Sequence, residues 1–471
     1  MSGDTMRFFY FPLMAALLWS YWRALKCARE ERTPFTPLLG WLIGLGYFVV
    51  APLTLVVLNG GYQIPDFYGA NARYASVNLS DVRYAVPVLL IWLSLFLAFQ
   101  VVALLQPLKK QAWRACDLSV RDQKLKRVIF LTLGISILDC LFTIWRSGGL
   151  ESFLITHWYL RQEESFAALG DVFVLYAQFS LANQMVFTAA AALFTARKLQ
   201  MRNWEWKFGG LIGLGLILEM IMSGNRIFIA LYGLSFLTAC WAYGRKKLVG
   251  VILLLSPLVF LFFSAWAYFR HDLSAISDDL PGYVDSSSDM QSPVMTTLMN
   301  TTEGTNVLQL LHMVNDFGNQ FNYFYGLTYS KAVTFILPRA WYPGKPENYP
   351  VQIARLYEPG EVTSLSTTQL GELYANFGVL VVPLLPLFTI LILLGSAKLA
   401  ERFAHHALLL AVLFLQCISF ARSSFEDNFI SLIFAVLLMQ GFRLEQGLLG
   451  FGNERRAPQG ARPSNPPWIQ I

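Results

Sequence analysis

Long apolar stretches alternate with short, basic connections over most of this chain. They run at about 7–23, 37–59, 84–106, 127–145, 172–195, 207–222, 226–243, 248–269, 376–397, 403–420 and 427–442. Most fall within the roughly 17–25 residues that a helix needs to cross about 30 Å of hydrocarbon. The pattern predicts an all-α fold, a polytopic transmembrane helical bundle of about eleven spans. The first run follows MSGDTMR, which has neither a basic leader nor a small-residue cleavage site, so it is expected to stay as a span. One polar, proline-containing interval interrupts the rhythm at 271–375. The chain therefore divides into a bundle at 1–270 (spans 1–8), a large loop at 271–375 with short helices, further spans at 376–450, and a Pro/Gly/Arg-rich tail at 451–471 that is expected to be disordered. No internal repeat is visible.

Composition agrees with this reading. Hydrophobic residues make up 55% of the chain and charged residues 14%, against about 25% charged in soluble proteins. The five cysteines are scattered without a CxxC pair, so neither a disulfide framework nor a zinc site follows. The formal net charge of +6 changes the picture through its distribution. Of the 36 Lys and Arg residues, 24 fall in alternate connections: 23–32, 109–127, 197–207, 245–247, 398–402 and the segment after 442. By the positive-inside rule these face the cytoplasm. The N-terminus and the long loop are then outside and the C-terminus inside. The basic excess is a topology signal, and no nucleic-acid partner is implied.

The remaining bases lie on or near the outer side, where the rule disfavours them. Arg226 sits in IMSGNRIFIAL, with almost no loop between two apolar runs. A charge at that depth either pairs, with Glu219 seven positions earlier, or lines a polar cavity. Asp139 and Arg146 repeat the spacing. Arg422 in SFARSSFEDNF occupies another short outer connection, followed by Glu426 and Asp427. Arg161 lies in GGLESFLITHWYLRQEESF beside His157, which is either a proton acceptor near neutral pH or a packed amphipathic residue. The long loop divides by charge: 271–316 holds seven acids and no Lys or Arg, whereas 317–375 holds four bases and four acids. An anionic ligand is expected to meet the second part. There, prolines at 338, 343 and 346 stiffen a segment carrying Arg339 and Lys345, with Trp341 and Tyr342 between them. Such aromatics either stack on sugar rings while the bases hold phosphate, or anchor the loop at headgroup level. No GxxxxGK[ST] phosphate loop, HExxH, Asp-x-Asp pair or GxSxG elbow occurs, so ATP hydrolysis, zinc hydrolysis and metal-dependent nucleotide-sugar transfer are disfavoured.

Four stretches in order, GGLESFL with Arg161 following, SGNRIFIAL, FILPRAWYPGKP with TTQLGELYANFG, and FARSSFEDNF, resemble the oligosaccharide repeat-unit polymerases of the Wzy family. The resemblance implies a GT-C-like bundle in the bacterial inner membrane and catalysis on its periplasmic face. The implied enzyme is a metal-independent glycosyltransferase without a cofactor. It transfers a growing glycan from undecaprenyl pyrophosphate onto an incoming lipid-linked repeat unit, for O-antigen, common antigen or exopolysaccharide. Its implied partners are that lipid-linked glycan, membrane lipid and a chain-length regulator. Arg226, Arg339 and Arg422 match the family's basic positions and would bind the pyrophosphate, with Arg161 and Lys345 in support. Trp341 and Tyr342 would bind sugar, and Glu372, His157 and Glu426 are the candidate general bases. No metal ligand is expected. An O-antigen ligase acting on lipid A core and a lipid-linked oligosaccharide flippase are the alternatives.

Overall fold

The computed structural model describes residues 3–29, 35–63, 76–109, 121–146, 148–150, 165–223, 227–255, 258, 299, 304–335, 337–338, 340–357, 365, 367–403 and 407–448. The architecture is helical. In chain order come α1 (Gly3–Arg29), α2 (Pro37–Leu45), a π-helical turn (Gly46–Val50), α3 (Ala51–Asn59), α4 (Ala85–Lys109), α5 (Asp122–Arg146), α6 (Ser165–Lys198), α7 (Trp206–Ser223) and α8 (Ile227–Ala242). Four short helices follow: α9 (Thr305–Asp316), α10 (Leu327–Thr334), α11 (Tyr349–Tyr357) and α12 (Thr368–Phe377). The last three are α13 (Val381–Phe403), α14 (Ala407–Arg422) and α15 (Phe425–Leu448). A two-stranded antiparallel ribbon pairs Gly61–Gln63 with Ser76–Asn78, Tyr62 opposite Val77.

Five helical stretches among the described residues are long and apolar enough to cross a membrane: Pro37–Asn59, Val82–Leu105, Asp122–Trp145, Leu175–Lys198 and Thr368–Gly395. The chain is a helical membrane protein. The shorter apolar helices Ile229–Ala242 and Ala407–Arg422 match two further predicted runs. Most of the run at 248–269 lies outside the described residues.

Packing centres on α6, which meets α5, α8, α14 and α15. Its alanine run 189–192 is fully buried, because small side chains let neighbouring backbones approach. α2 and α14 approach each other closely. A Cβ on Gly40 would stand 2.2 Å from the Phe414 carbonyl oxygen, and one on Gly44 would stand 2.7 Å from the Ala421 Cβ. Gly40 and Gly44 lie four apart, one turn on one face, so the pair is a small-residue packing motif. Trp41 between them is fully buried and donates from Nε1 to Thr389 Oγ1 of α13 at 3.2 Å. Facing hydroxyls and amides also serve the buried Glu219 and the half-buried Asp139. Glu219 accepts from Ser136 and Gln184, and Asp139 accepts from Ser180 at 2.8 Å. The Arg146 side chain and Arg226, proposed partners of these acids, lie outside the described residues.

One end of the bundle carries an ion-pair network. Lys126 meets Glu205 at 2.7 Å, and Lys198 meets Asp122 at 2.8 Å and Glu205 at 3.8 Å. Arg197 meets Asp122 at 3.2 Å. The network joins the start of α5, the end of α6 and the residues before α7, so these basic clusters share one edge.

Candidate functional site

The opposite end of the bundle gathers carboxylates. Gln178 of α6 lies twenty residues before Lys198, about 30 Å along the helix axis at 1.5 Å per residue. Its Nε2 donates to Asp427 Oδ1 at 2.8 Å. Asp427 and Glu426 occupy the first turn of α15, where unpaired backbone N–H groups and the helix dipole favour negative charge. Asn348 Nδ2 also reaches Asp427 Oδ1, at 3.4 Å, and Ser424 Oγ donates to Oδ2 at 2.8 Å.

Glu372 comes to the same helix end from α12, whose residues 368–376 are all buried. Its Oε2 accepts from the Phe425 backbone N–H at 2.7 Å, and its Oε1 accepts from Thr328 Oγ1 at 2.8 Å. Asn376, one turn later, donates to Thr328 Oγ1 and to the Glu372 carbonyl, both at 2.8 Å. Glu426 is fully buried and accepts from the Tyr349 N–H at 3.3 Å. Its Oε1 lies 3.6 Å from Lys331 Nζ, and its Oε2 has no hydrogen-bond donor among the described residues. Three carboxylates and the buried Lys331 thus meet at the start of α15.

Aromatic side chains wall the cluster. Tyr329 stacks on Phe377 at 5.9 Å between ring centroids and meets Phe425 edge-on at 5.3 Å. Its hydroxyl accepts from Gln369 Nε2 at 3.2 Å. Tyr349 bonds to Thr367 through their hydroxyls. Burial pushes both phenols well above their ordinary range, and the Glu372 carboxylate adds to the shift, so both remain neutral. Gly371 permits the Tyr349–Thr367 contact, because a Cβ there would stand 2.4 Å from Thr367 Oγ1. Thr368, at φ +67°, starts α12 in a left-handed conformation that a β-branched residue rarely adopts. Such strain persists where the surrounding packing over-determines it.

The expected site residues divide as follows. Glu372 and Glu426 come together. Arg422 ends α14 and stands half-buried in the turn that leads to Phe425. Trp341 is exposed and Tyr342 less so, on a turn where both backbone N–H groups bond to the Pro338 carbonyl. Lys345, expected among the anion-binding residues, is buried. Its ammonium donates to the carbonyls of Phe335 and Leu337 at 3.0 and 2.9 Å, so it fastens the turn after α10. His157, Arg161, Arg226 and Arg339 lie outside the described residues. Sequence reasoning did not single out Lys331, Asp427 or Gln178 as site residues. The available signal was Thr328 and Lys331 three apart on one helical face, in a stretch with no other charge until Arg339.

Among the described residues no group of His, Cys, Asp and Glu is arranged to hold a metal ion. The arrangement can accept a proton at a carboxylate and keep charge of either sign compensated. The chain matches no family model, no curated protein and no solved structure.

Proposed function

We propose that this protein is a lipid-pyrophosphate-dependent glycan polymerase. It elongates undecaprenyl-pyrophosphate-linked repeat units at the periplasmic face of a bacterial inner membrane. The observation that carries the reading is the meeting of Glu372, Glu426, Asp427 and Lys331 at the start of α15. That point lies at the end of the bundle away from the basic ion-pair network, near the level at which spans begin. A membrane enzyme acting on a lipid-held pyrophosphate needs its reacting groups at that level. The ordered resemblance to the repeat-unit polymerases supplies the reaction class, together with a GT-C-like bundle of about eleven spans.

In this reading the acceptor hydroxyl oxygen forms a bond to the anomeric carbon of the donor glycan. The bond from that carbon to the pyrophosphate oxygen breaks, and the electron pair leaves with the pyrophosphate. The hydroxyl proton passes to a carboxylate. Glu426 is the base with a free acceptor oxygen, Oε2, and Lys331 compensates its charge before transfer. Glu372, with both oxygens engaged, positions the first turn of α15. Arg422, with Arg226 and Arg339, neutralises the departing pyrophosphate through charge-assisted bonds. Trp341 and Tyr342 offer ring faces to sugar.

The test uses purified protein in nanodiscs, an authentic lipid-linked repeat unit, EDTA and no nucleotide. A ladder of elongated glycans is the expected product. Folded protein that yields no ladder overturns the polymerase, and product formed only after lipid A core is added reassigns the chain as a ligase.

A further inference from the structure

α10 has two unlike faces. Thr328, Lys331, Ala332 and Phe335, at the i, i+3, i+4, i+7 spacing of one helical stripe, are buried. Leu327, Val333 and Leu337 are exposed on the other side, with Trp341 beyond them. Val333 is 80% exposed and Trp341 79%. Single exposed apolar residues need no explanation, but Leu327, Val333 and Leu337 follow one another with no charge exposed between them. From 317 to 338 the sole charged residue in the sequence is Lys331, and it faces Glu426.

The surroundings set the depth of this face. Phe324 N–H bonds to the Ala375 carbonyl at 2.9 Å, which ties the chain entering α10 to the end of α12. Tyr329 stacks on Phe377, and next in the chain the exposed Val379 and Leu380 open the apolar flank of α13. That flank continues through the exposed Leu387, Leu391 and Leu394 of a membrane-spanning stretch. Tyr329 also meets Phe425, which meets Phe388 at 6.4 Å, two turns into α13. α10 therefore stands beside the start of the exposed apolar flank of α13.

We infer that α10 lies in the membrane interface, with lipid acyl chains covering Leu327, Val333 and Leu337 and with Trp341 at headgroup level. The lone lysine turns inward because on the outward side it would face hydrocarbon. The bilayer then borders the helix whose inward face carries Lys331 to the carboxylate cluster. The lipid contact stands whether or not the chain polymerises glycans, and its test needs no turnover.

Wild-type protein in phosphatidylcholine nanodiscs is irradiated with a phosphatidylcholine that carries a diazirine on one acyl chain, and adducts are mapped by peptide mass spectrometry. Adducts are expected within 325–341 and, as the reference, within 379–394. Labelling of 379–394 with none at 325–341 overturns the inference. Val333→Glu points away from the carboxylates and is expected to remove the adducts of the first segment while sparing the second; unchanged labelling in that variant also refutes it.

Discussion

The Lys331–Glu426 contact allows a quantitative test. Replacing Lys331 by Met keeps the apolar stem and removes the charge, leaving three carboxylates at one helix end. At 3.6 Å two unit charges in surroundings of effective dielectric about 20 attract by about 4–5 kcal/mol. Desolvation offsets much of that attraction in the intact protein. Removing only one partner leaves the other buried and uncompensated, which typically costs about 3–5 kcal/mol. K331M is therefore expected to lose stability of that order in reversible SDS-titration unfolding from mixed micelles. Glu426→Gln added to K331M removes the stranded charge and is expected to recover at least about 1 kcal/mol relative to the sum of the two single changes. Additivity of the two within about 0.5 kcal/mol would show that Lys331 and Glu426 do not interact, and the charge argument would be wrong.

Four further outcomes are expected. Gly40→Ala should cost about 1–3 kcal/mol, because its methyl meets the Phe414 carbonyl, whereas Gly134→Ala, with nothing within 4 Å, should be neutral or stabilising; the same unfolding assay compares them. Glu372→Gln places an amide against either the Thr328 hydroxyl or the Phe425 N–H, both of which donate now, and should cost about 1–3 kcal/mol and abolish the glycan ladder. Thr368→Gly relieves the left-handed backbone and should raise stability by about 1 kcal/mol, read as a higher unfolding midpoint. Trp341→Ala, at an exposed position, should alter stability by no more than about 0.5 kcal/mol while slowing chain elongation in the nanodisc assay.

Several spans were legible because hydrocarbon imposes a run length that few other constraints do. Pro37–Asn59, Val82–Leu105 and Leu175–Lys198 fall within a few residues of the runs at 37–59, 84–106 and 172–195. The apolar stretch that contains the span expected at 376–397 starts earlier, at Thr368, because α12 leads directly into the 3-10 turn Gly378–Leu380 and α13. Gly378, at φ +59°, ends α12, which is the stop that a glycine in this position suggests. Glu372 and Glu426 were legible as acids in suggestive stretches. Their meeting was not, because 53 positions separate Glu372 from Phe425, whose N–H it accepts, and pairing at that range leaves no mark in a single sequence. Lys345 shows the reverse case: a base in a proline-rich turn looks available, yet unpaired carbonyls after a short helix are themselves anionic in character and draw the ammonium inward.

The carboxylate cluster draws on α6, α10, α11, α12 and finally α15. Because synthesis proceeds from the N-terminus, Lys331 enters the membrane region before the acid that answers it, and Glu372 has no N–H to accept until residue 425 has been made. Until the last helix arrives, the contact of Lys331 with Glu426 and that of Glu372 with the Phe425 N–H are both unmade. Chain order thus makes the final helix the element that closes the carboxylate cluster.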